Sequence, residues 1–169
     1  DDVEKIITKT NHSCPGPDGI PFAMYKELMD ISPTIIHDSL IALVEGKVPV
    51  PTDYNKARLF IIPKSSSLLI KDTRPISVTN SDNRIVAKAF AAAITPSLQD
   101  FISPSQQGFL KGRKGETAKA FDSIDHAFIL SVLRKIGMPP WFTTAVTNLL
   151  LEVTVSPVVS SSTNINIPI

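Results

Sequence analysis

Apolar residues recur at helical spacing near the start of the chain, where Val3, Ile6 and Ile7 predict a short helix over residues 1–10. The stretch CPGPDGIP (14–21) interrupts that pattern. Its prolines fix φ and its glycines supply positive φ, so it reads as a rigid loop. A helix is expected from about Pro21 to Met29. Ser32 then reads as an N-cap with Pro33 at the first helical position, and Gly46 as the stop of a second helix. Its buried stripe is expected to be Ile36, Leu40, Leu43 and Val44. After a linker, PVPTDYN, the run ARLFII (57–62) predicts a strand ended by Pro63. A polar connection, KSSSLLIKDT, leads to RPISVT (74–79), which predicts a second strand. The two are expected to form an antiparallel hairpin whose tip carries Lys64, Lys71 and Arg74.

Asn80 to Asp82 can cap the helix that follows, on which Val86, Phe90, Ala93, Ile94 and Leu98 share a face. FISPSQQGFLKGR is irregular and basic. Residues 125–136 predict a helix with Phe128, Ile129, Val132, Leu133 and Ile136 turned inward and Gly137 as its stop. Pro139 and Pro140 open one more helix to about Leu151. VTVSPVV and INIPI alternate as strands around SSSTN. The expected class is α+β, helix-rich with short antiparallel strands.

Composition narrows the function classes. At 169 residues, with 43% hydrophobic and 20% charged content, the chain is one globular domain or a piece of a larger one. No apolar run approaches the roughly 20 residues that span a bilayer, and DDVEKIITKT has none of the layout of a signal peptide. Lacking an initiator Met, the chain reads as a segment. The single cysteine, Cys14, favours a reducing, intracellular setting, and three scattered histidines make no zinc cluster. Charge is uneven: residues 1–55 hold 9 acidic and 4 basic residues, whereas 56–119 hold 11 basic and 4 acidic. That basic middle suggests a polyanion-binding surface. Within KGRKGETAKAFDSIDHAF (111–128) lie Glu116, Asp122 and Asp125, flanked by basic residues. The residues alone leave open a metal site for phosphate chemistry or a charged turn ahead of a helix.

Four stretches stand in order along the chain: PGPDGIP, then IIPK with RPISVTN ten residues beyond, then ISPSQQGFLKGR, then KAFDSIDHAFILSVLRKIGMPP. Together they resemble the reverse transcriptase domain of non-LTR (LINE-type) retrotransposons, from about Asn11 to Ile169. The resemblance implies an RNA-directed DNA polymerase of right-hand shape, with fingers over residues 1–115 and the start of a palm over 116–169. It also implies an RNA template, a DNA primer, a deoxynucleoside triphosphate and Mg²⁺ as partners. Lys64 and Arg74 match the family's triphosphate-binding positions on a fingers hairpin. Phe121 falls where the sugar 2′ carbon is checked. Lys111 and Arg113, beside Phe109, fit nucleic-acid contacts. PGPDG resembles a loop near the template, in which Asp18 is expected mainly to bond local amides.

The family's first metal-binding Asp aligns with Glu116, which is thus the candidate catalytic and metal-binding residue. Asp122 is expected to brace the turn and Asp125 to cap the next helix. The chain departs from the pattern in three ways. Glu replaces Asp, only Lys114 and Gly115 separate Arg113 from Glu116, and the sequence stops ahead of a Tyr-x-Asp-Asp motif. The expectation is therefore a retrotransposon reverse transcriptase fragment, catalytically inactive on its own. An alternative is a non-catalytic RNA-binding remnant that kept the basic fingers. A third, of another class, is a helical interaction domain.

Overall fold

A computed structural model describes residues 2–47, 49–64, 72–98, 124–158 and 167–168. These contain α1 (Asp2–Lys9), α2 (Phe22–Glu27), α3 (Ser32–Glu45), β1 (Lys56–Pro63), β2 (Thr73–Thr79), α4 (Ser81–Leu98), α5 (His126–Lys135), α6 (Pro140–Leu150), β3 (Thr154–Pro157) and β4 (Ile167–Pro168). The class is α+β, as the patterning predicts.

The helices build one core. Val3 and Ile7 of α1, Phe22 of α2, Ile36 and Leu43 of α3, and Ile85 and Val86 of α4 are all buried together. Spacings of four residues in α1 and seven in α3 place these side chains on one stripe of each helix. Leu40 packs on the cluster only partly buried, and Ala93 is exposed. Phe142 of α6 meets Phe90 edge-on, with centroids 6.3 Å apart. Gly46 ends α3 at φ +62°, its N–H bonding the Ala42 carbonyl at 3.0 Å. Here glycine is required by the left-handed backbone.

Four expectations change. Ser32 is the first residue of α3 and is buried, so Ile31 is the cap position and no side chain caps the helix. The cause is the tight turn from α2, in which the Leu28 carbonyl already takes the Ser32 N–H at 2.8 Å. The sheet has the order β2-β1-β3-β4 and is mixed, because β1 and β3 run parallel, Lys56 opposite Thr154 through Leu59 opposite Pro157. The other pairs are antiparallel, including Val155 opposite Ile167. Helices connecting β1 to β3 supply the long crossover that a parallel pair needs. On α5, Phe128 (63% exposed), Val132 (38%) and Ile136 (59%) face solvent, while Ile129 and Leu133 are half-buried. An amphipathic stripe shows that a helix has an apolar face, not what covers it. PVPTDYN, lastly, is more than a linker: Val50 and Tyr54 pack on the core, and Asn55 is buried.

Candidate nucleotide and nucleic-acid interface

The β1–β2 hairpin forms where ARLFII and RPISVT pair, Ala57 opposite Thr79 through Pro63 opposite Thr73. Beyond the ladder, the Lys64 N–H bonds the Asp72 carbonyl at 2.8 Å, carrying the register one step further. Directly opposed residues share a sheet face, and alternate residues return to it. Ile62 opposes Arg74, so Lys64, two positions on, falls on Arg74's face as its diagonal neighbour. Both residues are exposed. The same alternation gives that face Phe60 with Ile76, then Arg58 with Val78. It therefore has cations at both ends and an apolar middle. Burial fades along β1, from Ala57 at the packed base to exposed Ile61 and Ile62.

Arg58 ties this face to the PGPDG loop, its Nη2 donating to the Pro17 carbonyl at 3.4 Å. Within the loop Asp18 does bond a local amide, accepting the Ile20 N–H at 3.0 Å. Gly19 supplies the positive φ, +77°. Gly16 serves another purpose: its backbone lies against Asn80, and a Cβ there would sit 2.5 Å from the Asn80 nitrogen.

Asn80 is the residue whose role the sequence misplaces. Rather than capping α4 with its side chain, it turns Oδ1 to the Asp18 N–H, at 3.2 Å. Ser81 Oγ donates to the Ile20 carbonyl at 2.6 Å. Arg84 donates to Ser13 Oγ and the Cys14 carbonyl, and stacks 4.5 Å above the Phe22 ring. The loop is thus pinned to the first turn of α4 by three consecutive kinds of contact. Asn80 and Ser81 in the run VTNSDNR look like ordinary capping residues, so no local signal separates the two roles.

Asp82, also in that first turn, is half-buried. Burial raises its carboxyl above the ordinary value, nearby Asp18 adds to this, and the Asn83 N–H opposes it. Burial likewise pushes the Tyr25 hydroxyl up to about 12, and that of Tyr54 upward, with Asp82 contributing to both. A carboxyl raised in the folded state favours folding when protonated, and that contribution is lost as pH rises through the folded-state value. Asp82→Asn is therefore expected to raise Tm at pH 7 and to leave it nearly unchanged at pH 3. Thermal melts at the two pH values check this; an equal shift at both would assign the effect to packing.

Lys71, Phe109, Lys111, Arg113, Glu116, Phe121 and Asp122 lie outside the described residues. Asp125 does cap α5, accepting the Phe128 N–H at 3.1 Å. Among the described residues, no group of three or more His, Cys, Asp or Glu side chains is placed to hold a metal ion. Nor is any helix among them long and apolar enough to cross a membrane.

No protein-family model matches the chain. It is similar to the transposon TX1 uncharacterized 149 kDa protein of Xenopus laevis, with 26% identity over 171 residues. The match covers 84% of this chain and 13% of that protein. It supports a transposon origin.

Proposed function

We propose that this chain is part of a retrotransposon reverse transcriptase, an RNA-directed DNA polymerase whose fingers occupy residues 1–115 and whose palm begins within 116–169. The β1–β2 hairpin receives the triphosphate of an incoming deoxynucleotide. The observation that carries this reading is the register: it gives Lys64 and Arg74 one sheet face at the open end of the hairpin. Arg74 offers a planar fork of N–H donors to phosphate oxygens, and Lys64 a compact charge beside it. Such a pair can bridge one polyphosphate. The similarity to a transposon protein and the order of the four sequence motifs support the same reading.

Primer and RNA template then follow the basic middle of the chain, with Lys111 and Arg113 contacting phosphates and Phe121 beside the sugar. Glu116 stands where the polymerase would hold Mg²⁺, which would activate the primer hydroxyl and stabilise the leaving pyrophosphate.

Reversing both hairpin charges, Lys64→Glu with Arg74→Glu, is expected to weaken deoxynucleoside triphosphate binding about 100-fold. Reversing Lys5 and Lys9, on α1, should change it less than about threefold. Fluorescence titration with a labelled triphosphate measures both. Primer-template affinity should fall steeply with added salt, and further in Lys111→Glu/Arg113→Glu. Equal losses from the hairpin and α1 variants would remove the nucleotide assignment.

A further inference from the structure

A cavity of about 290 Å³ lies between α3, the segment Pro49–Pro51 and the first turn of α4. Its walls are mostly apolar, from Ala42, Leu43, Pro49, Val50 and Pro51. Asp82 and Ser39 supply the polar part of the lining, and Tyr54 completes it. The Asp82 carboxylate is half-buried and, among the described residues, no cation pairs with it. Its Oδ1 accepts the Asn83 N–H at 2.6 Å, and among the described residues no side chain donates to it. The Tyr54 hydroxyl is buried away from the open space, so the ring of Tyr54 lines the cavity. Ser39 already donates to the Ile35 carbonyl at 2.9 Å, which leaves its oxygen free to accept.

An uncompensated carboxylate in a half-dry wall costs free energy. One ligand chemistry answers both the carboxylate and the serine oxygen. A guanidinium has five N–H donors, no acceptor and a permanent charge, and its planar fork matches a carboxylate. An ammonium offers three donors from one point and spans separated acceptors less well. The apolar walls suit the methylene stem that carries such a head group. We propose that this cavity is an alkylguanidinium-binding site, with Asp82 pairing the cation, the Ser39 oxygen accepting one of its remaining N–H groups, and Leu43, Val50, Pro51 and the Tyr54 ring packing the stem. It shares no residue with the hairpin face and stands independently of the function proposed above. The same head group reaches a protein either as a free small cation or as an arginine side chain of another protein.

The experiment is an NMR titration of the full chain with N-propylguanidinium, with N-acetylarginine N-methylamide, and with the neutral isostere N-propylurea. Saturable shifts of the Ala42, Leu43 and Val50 amides are expected with the guanidinium probes, and at least about tenfold weaker binding with the urea. Asp82→Asn should lower guanidinium affinity about tenfold or more, and Ser39→Ala by a smaller factor. Where a variant loses its folded spectrum, the guanidinium-to-urea comparison on the unaltered chain decides alone. Comparable or tighter binding of the arginine derivative identifies a protein side chain as the source; binding of propylguanidinium alone identifies a free cation. Equal binding of urea, shifts confined to exposed acids such as Asp38 or Asp53, or no saturable binding would each overturn the proposal.

Discussion

Asn55→Ala is expected to lower stability by about 2–4 kcal/mol, a large share of the 5–15 kcal/mol that holds a typical domain together. Asn55 sits at the foot of β1 and is buried. Its Nδ2 donates to the carbonyls of Asn148 and Leu151, at 2.8 and 2.7 Å. Its Oδ1 accepts from Asn83 Nδ2 at 3.1 Å. One amide thus joins the start of the central strand, the first turn of α4 and the end of α6. Truncation takes the donor from two carbonyls and leaves Asn83 Nδ2 only its 3.3 Å bond to the Tyr54 carbonyl, and each group left unpaired costs about 1–3 kcal/mol where water cannot reach it. The turn it holds is strained as well: Glu152, next to Leu151, has φ +48° in a non-glycine residue. Asn55→Asp is close to isosteric and should be worse, because it aims a carboxylate at two carbonyls. Urea unfolding measures both. An Ala variant within about 0.5 kcal/mol of the parent would mean that these carbonyls are hydrated and the three-way tie is unimportant.

Asn55 also marks the boundary of what the sequence discloses. The hairpin was legible because its determinants are local: a β-rich run stopped by Pro63, and a second such run within reach. Asp125 was legible for the same reason, since a cap needs only the next turn of chain. The parallel pairing of β1 with β3 was not, because its partners come together only after β2 and the described helices α4, α5 and α6 have intervened along the chain. Asn55 and Asn80 were hidden for a related reason. An Asn before an element looks the same in sequence whether its amide serves that element or a distant carbonyl. The outward face of α5 follows likewise: patterning identified Phe128, Val132 and Ile136 as one stripe, and only tertiary structure shows it facing solvent. At the candidate site, the register brings Lys64 and Arg74 to one face. Lys111, Arg113, Glu116 and Phe121 lie outside the described residues, so their expected roles rest on motif order alone.

The PGPDG loop offers a test in which two glycines rank oppositely under two physical arguments. Gly19 has φ +77° and nothing within 4 Å of an added Cβ. Gly19→Ala therefore meets only the left-handed backbone penalty, about 1 kcal/mol. Gly16 has no such φ, yet its Cβ would lie 2.5 Å from both the Asn80 nitrogen and Oδ1, and 2.6 Å from its Cα. Two of those atoms are backbone at the start of α4, where the chain cannot give way by turning a side chain. The loop must move instead. Moving it strains the bonds from Asp18 to Asn80, from Ser81 to Ile20 and from Arg58 to Pro17. Gly16→Ala is expected to cost about 3 kcal/mol, the upper range for overpacking, and to exceed Gly19→Ala by at least twofold. Adding Asn80→Ala should not restore stability, because it removes Oδ1 but leaves the nitrogen and Cα in place. Chemical denaturation of the three variants gives the order. A Gly19 variant less stable than the Gly16 variant, or rescue by Asn80→Ala, would show that the loop does not rest on the α4 backbone and that its contacts with Arg58 and Asn80 do not fix its position.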